Sequence, residues 1–186
     1  MYSKLVDQLI TKEIISAEDA DLYLYGLSNG VLLIFNLITM FAIGLLFNRL
    51  AEIAVFLVSY APLRHYCGGY HAKTAPRCYF ISIVITLLVI AAPDHVNWSK
   101  ELCLSVVLVS AVIIGILAPV ADINKPLDPD ETRVFKRMAR SILIVEIFVF
   151  IMVFTFDFTT FYYSMSLAFM VMAIMLVLGI MKRKLN

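Results

Sequence analysis

The sequence predicts an all-α, polytopic integral membrane protein, a single membrane domain of about six transmembrane helices with an N-terminal amphipathic interfacial helix. Three observations carry that reading. Of 186 residues, 62% are hydrophobic and 16% charged, where a soluble domain carries about 25% charged residues; the mean hydropathy is +0.91. So few polar side chains cannot cover a soluble core, and the apolar surface needs a bilayer. The apolar runs, such as VVLVSAVIIGILAPVA, do not alternate with polar residues as barrel strands would, so the spans are helical. Finally, apart from Arg49 and Lys100, the 15 lysines and arginines fall in four segments, 1–29, 64–78, 122–140 and 182–186.

Residues 1–29 come first. Leu5, Val6, Leu9, Ile10, Ile14 and Ile15 recur at helical spacing between Lys4, Asp7, Lys12 and Glu13, which fits a helix lying on the inner leaflet or an ordinary cytosolic helix packed on the rest. Its acidic residues interrupt any signal-peptide core. A hydrocarbon layer of about 30 Å takes roughly 20 helical residues, fewer where neighbours bury the helix. Six apolar runs meet or approach that length: 30–47, 50–63, 79–92, 102–121, 141–156 and 159–181. With both termini in the cytosol, the cationic segments, including loops 64–78 and 122–140 and the basic tail 182–186, all face inward. No repeat points to the inverted halves of a transporter.

Reactive side chains concentrate in LRHYCGGYHAKTAPRCYF, residues 63–80. A reducing cytosol keeps its cysteines as thiols. Pro76 favours a helix start and places Cys78 in the first turn, where the dipole and the nearby charges of Arg77 and Lys73 stabilise a thiolate. His71 sits seven residues upstream, and a loop that ends at Pro76 can bring its imidazole back over the helix start as a general base. Gly68 and Gly69 allow a tight turn and offer N–H groups to an oxyanion. A zinc site from His65, Cys67, His71 and Cys78 is a second reading, although the cysteines are eleven apart, outside the usual spacing. In a third, the cysteines are small buried hydrophobes and the cations are interface anchors.

The segment resembles the AgrB family of bacterial membrane peptidases, with Arg64, Gly68-Gly69, His71-Ala72 and Cys78 in register. A second stretch, LAPVADINKPLDPDETRVFKR (117–137), is similar to the family's Ala-Pro followed by a polar, basic loop. The resemblance implies a membrane-embedded cysteine endopeptidase with Cys78 as nucleophile and His71 as base; Arg64 and Gly69 match further motif positions. The implied partner is an AgrD-like propeptide with an amphipathic leader, a central Cys or Ser and an acidic tail. The enzyme would cleave off the tail through a thioester and close a thiolactone or lactone for quorum sensing. No cofactor, metal or nucleic acid is expected. An acidic tail would be drawn to Lys73, Arg77, Lys125, Arg133, Lys136 and Arg137, each of which also suits positive-inside anchoring. Asp122 is a candidate to orient His71; Ser82, Glu52 and Asn48 are weaker ones. Cys67 and Cys103 have no role in this scheme. A homodimer is expected because six short spans enclose little space, and the bacterial cell membrane is the expected location, with the site on its cytoplasmic face. The rivals are a peptide transporter or exporter, for which Glu146 is the one clear intramembrane ionisable group, and a non-catalytic scaffold.

Overall fold

The computed structural model describes residues 2–12, 14–72, 74–121 and 128–185, which form seven α-helices. They divide into two units, Met1–Met40 and Phe41–Asn186. In the first unit, α1 (Tyr2–Thr11) buries Val6 and exposes Asp7 and Gln8. The amphipathic helix is shorter than the sequence predicts, and Ile14 lies beyond it, exposed. The chain restarts because the Ser16 hydroxyl accepts the Asp19 N–H at 3.3 Å, capping a short 3-10 turn, Ala17–Asp19. That turn feeds directly into α2 (Ala20–Leu46), so this helix begins well before the expected residue 30.

The second unit contains α3 (Leu50–Cys67), α4 (Ala75–His95), α5 (Lys100–Leu117), α6 (Pro129–Thr155) and α7 (Thr159–Leu185). Among the described residues five helices, α2 and α4 to α7, are long and apolar enough to cross a membrane. The helix α3 matches the second apolar run but carries Glu52, Arg64 and His65 and falls outside that group. It is sheltered instead: Ile53, Phe56, Leu57, Leu63 and Cys67 are buried, and α3 packs on α7 and α6. The centre of the unit is α7, flanked by α3 and α5. In its apolar stretch 61% is buried, against 12 to 22% in the other four candidate spans. Small side chains let its neighbours approach closely, with Ser164, Ser166, Ala168 and Ala173 all buried. Outward, Val58, Leu88, Val109, Ile116, Ile144 and Phe148 are exposed, a surface that suits lipid.

Successive helices run up and down, so two sets of ends form. At one, Arg49 pairs with Asp94 at 2.9 Å and Glu52 at 3.2 Å, and Lys100 with Asp157 at 2.9 Å. The two cations that depart from the charge bias are therefore each neutralised by carboxylates, in partly exposed pairs worth roughly 0.2–1 kcal/mol apiece. The other end gathers the close of α3, the start of α4, the close of α5, the start of α6 and the close of α7. Here residues 129–140, expected as loop, are the opening turns of α6. The sequence DPDE accounts for the difference: Asp128 and Glu131 form a capping box around Pro129.

Candidate functional site

Residues 68–72 link α3 to the approach to α4, and almost every backbone group near their start is committed. The C-terminus of α3 closes with the Gly68 N–H donating to the Arg64 carbonyl at 3.2 Å. Gly68 and Gly69 then take φ of 71° and 101°, a region that other residues enter only under strain. The Gly69 N–H donates to the Val120 carbonyl at 3.0 Å and the Val120 N–H to the Cys67 carbonyl at 2.9 Å. This parallel bridge ties the turn to the chain leaving α5, just past the cis Ala118–Pro119 bond. The Tyr70 N–H donates to the Met175 carbonyl of α7 at 2.8 Å. A Cβ on Gly68 would overlap the Val120 carbonyl oxygen, and one on Gly69 would stand 2.8 Å from both the Met175 carbonyl and the Arg64 guanidinium.

Arg64 gains a definite role. Its two terminal nitrogens donate to the Gly68 and Tyr70 carbonyls, a planar fork that clamps the turn from within. Lysine has no second arm with which to hold both carbonyls. Arg64→Lys is therefore expected to speed amide exchange at Gly69 and Tyr70 by roughly tenfold, the loss of about one hydrogen bond's net worth, while α5 exchange is unchanged. Equal protection in both proteins would show that the clamp contributes nothing.

The expected oxyanion role of the Gly68 and Gly69 N–H groups is corrected here, because both already donate to carbonyls. The start of α4 offers the alternative. Thr74 is its N-cap with no side-chain cap bond and Pro76 occupies the first turn, so the helix end keeps donors pointing outward. Cys78 lies in that turn, half-buried, with its N–H on the Thr74 carbonyl at 3.1 Å and Ser82 Oγ donating to its carbonyl at 3.2 Å. The Tyr60 hydroxyl lies within electrostatic reach of both Arg64 and Cys78. His71 is exposed in the preceding loop, and its carbonyl accepts from Lys182 Nζ at 2.7 Å. A recess of about 390 Å3 opens alongside, lined by Tyr70, Ala72, Arg77, Phe80, Ile81 and Lys182.

The remaining candidates separate. Cys67 is fully buried in the last turn of α3, beyond the apolar run 50–63, and burial pushes its thiol up to about 12 despite the Arg64 charge. It stays protonated at neutral pH. His65 stacks on Phe135 with ring centres 6.3 Å apart and meets Tyr66 edge-on at 4.7 Å, forming an aromatic seam between α3 and α6. Among the described residues no three His, Cys, Asp or Glu side chains converge as metal ligands do. Cys103 is fully buried in α5. Glu146 is half-buried, with its carboxyl hydrogen-bonded to Ser59. Arg133, Lys136 and Arg137 are exposed on the opening turns of α6. Lys73, Asp122 and Lys125 lie outside the described residues. Sequence reasoning missed Val120, Met175, Gly179 and Lys182. One signal pointed there: Gly179 is the single glycine in the last apolar run, and an isolated glycine in a helix marks close backbone approach.

Comparison with known proteins places this arrangement in context. The family model described as Accessory gene regulator B matches residues 2–178. An AgrB-like protein of Clostridium perfringens is 28% identical over 79% of this chain and 73% of its own length. Accessory gene regulator protein B of Staphylococcus saprophyticus is 27% identical over 62% of this chain and 60% of its own. The protein of that name from Staphylococcus carnosus is 25% identical over 62% and 63%. No solved structure matches.

Proposed function

The chain belongs to the accessory gene regulator B family, which serves quorum-sensing signal processing, and on that premise we propose that it is a membrane cysteine endopeptidase that cleaves and cyclises a small propeptide. The observation that carries the reading is the placement of Cys78. It is the one cysteine of three that is not buried, it sits at a helix N-terminus, and the loop bearing His71 leads into that helix. Both lie at the bundle end shared with the cations that open α6 and close α7, which would face the cytoplasm under the positive-inside rule.

The chemistry balances without a cofactor. His71 takes the Cys78 proton as Sγ bonds to the peptide carbonyl carbon, and negative charge develops on the oxygen toward the start of α4. The C–N bond then breaks, and the imidazolium gives its proton to the departing amine of the tail. The signal segment remains as a thioester on Cys78. The peptide's own thiol or hydroxyl attacks that carbonyl, closing a thiolactone or lactone, and its proton returns through His71 to the Cys78 sulfur. A thioester preserves the acyl activation that ring closure needs. Arg77 and Lys182 line the recess beside this pair and, with Arg133, Lys136 and Arg137 on α6, offer positive charge to an acidic tail.

The test uses membranes carrying the full chain and a synthetic peptide with an amphipathic leader, a central cysteine and an acidic tail. Quenched early, the reaction should leave the peptide's signal segment on the tryptic fragment containing Cys78, released by neutral hydroxylamine as a thioester is. Cleavage with no such adduct, abolished by a chelator, would overturn the reading in favour of a metal-activated water.

A further inference from the structure

We propose that Lys182 is a positioning residue for His71, acting with Met175 and Gly179 as a rest on α7 across which the loop is laid; the inference depends on His71 being the base. Spacings of four and three residues put 175, 179 and 182 on one stripe of the helix, and each engages the loop differently. The Met175 carbonyl has a lone pair to spare beyond its helical bond and accepts the Tyr70 N–H at 2.8 Å. Gly179 supplies clearance. A Cβ there would stand 2.8 Å from the Gly69 carbonyl carbon, 2.9 Å from the Tyr70 nitrogen and 3.0 Å from the Gly69 Cα. The loop backbone therefore lies directly on the helix backbone, where no other residue fits. Lys182 closes the set, its ammonium donating to the His71 carbonyl at 2.7 Å and standing 5.4 Å above the Tyr70 ring.

The consequence for His71 is geometric. The Val120 carbonyl holds the Gly69 N–H, the Met175 carbonyl holds the Tyr70 N–H, Arg64 holds the Tyr70 carbonyl, and Lys182 holds the His71 carbonyl. The Cα of His71 is thus set from both sides, through the carbonyl before it and its own carbonyl. Without Lys182, rotation about the His71 N–Cα bond, which swings the carbonyl and the Cβ together, is no longer opposed at the carbonyl, and the ring loses the fixed position that a base for Cys78 needs. A charge-assisted bond of this kind is among the stronger ones available to a backbone carbonyl. In the sequence Lys182 opens a tail of three cations whose ordinary meaning is membrane orientation; the geometry distinguishes it from Lys184, which is exposed.

The experiment measures alkylation of Cys78 by iodoacetamide at pH 7 in the full chain, with peptide mass spectrometry resolving each cysteine. Buried Cys103 serves as an internal report on folding, since it stays unlabelled while the bundle is intact. His71→Ala is expected to slow Cys78 labelling by about tenfold, through loss of the base that generates thiolate. Lys182→Ala is expected to slow it roughly threefold or more by misplacing that base, with Lys182→Arg restoring the rate and Lys184→Ala leaving it unchanged. Gly179→Ala should slow labelling further. If His71→Ala slows labelling and Lys182→Ala does not, the positioning role is wrong and the base stands. If His71→Ala has no effect, the base reading itself fails. If Lys182→Ala exposes Cys103, or Lys182→Arg fails to restore the rate, Lys182 holds the fold and not the imidazole, which also overturns the inference.

Discussion

Cys78→Ser is expected to abolish propeptide cleavage, lowering the rate by roughly three orders of magnitude or more, since an alcohol is far less readily ionised and its ester stores less activation than a thioester. The half-buried site in the first turn of α4 accepts serine without strain, so protein level in membranes should not change. Cys67→Ser should behave in the opposite manner. That side chain is fully buried, and a hydroxyl placed there without a partner costs about 1–3 kcal/mol. Its signature is reduced protein with the rate per molecule retained. Quantified cleavage of the synthetic peptide by both variants decides between the two cysteines. Activity surviving in Cys78→Ser but not in Cys67→Ser would reverse the assignment.

His71→Ala is expected to lower cleavage by about 10²- to 10⁴-fold, the usual contribution of a positioned acid and base. Because His71 is exposed, added imidazole has access to the space that the substitution opens, and partial recovery in proportion to its concentration would identify proton transfer as the lost function. His65→Ala is the natural comparison. The ring of His65 stacks on Phe135, so its removal should loosen the seam between α3 and α6 and leave the rate largely intact. A histidine needed for packing alone would give no imidazole rescue at either position.

The fold was largely legible because one physical demand, burial of long apolar helices in a bilayer, writes itself plainly into residue order. Every apolar run has its main part in a helix, the runs at 50–63, 79–92 and 159–181 lie wholly within α3, α4 and α7, and the run at 102–121 leaves α5 at Leu117. Helix ends were harder, since caps are short polar signals inside otherwise loop-like stretches. Asp128 with Glu131 extended α6 back through residues expected as loop, and Ser16 divided the N-terminal segment. Of the candidate site, local features were readable: Pro76 set the start of α4 and so the place of Cys78. What the loop rests on was not. The Val120 and Met175 carbonyls that receive the Gly69 and Tyr70 N–H groups are backbone atoms with no side-chain signature. Arg64 stands out as a motif position without a chemistry, and its fork closing on two carbonyls has no sequence signature. Partners this distant in sequence become visible only once α7 is known to occupy the centre.

That central position also sets an order in time. Translation delivers the chain from its N-terminus, so the segment with His71 and Cys78 is made well before α7 is synthesised. Until Met175 and Gly179 arrive, the Tyr70 N–H lacks the acceptor that it has in the finished bundle, and the glycine turn has nothing beneath it. A nascent chain would thus carry a thiol and an imidazole without the geometry to use them together. On the proposed chemistry, completion of α7 would be the step that arms the pair, and ribosomes stalled before it would leave inert intermediates in place of prematurely active ones.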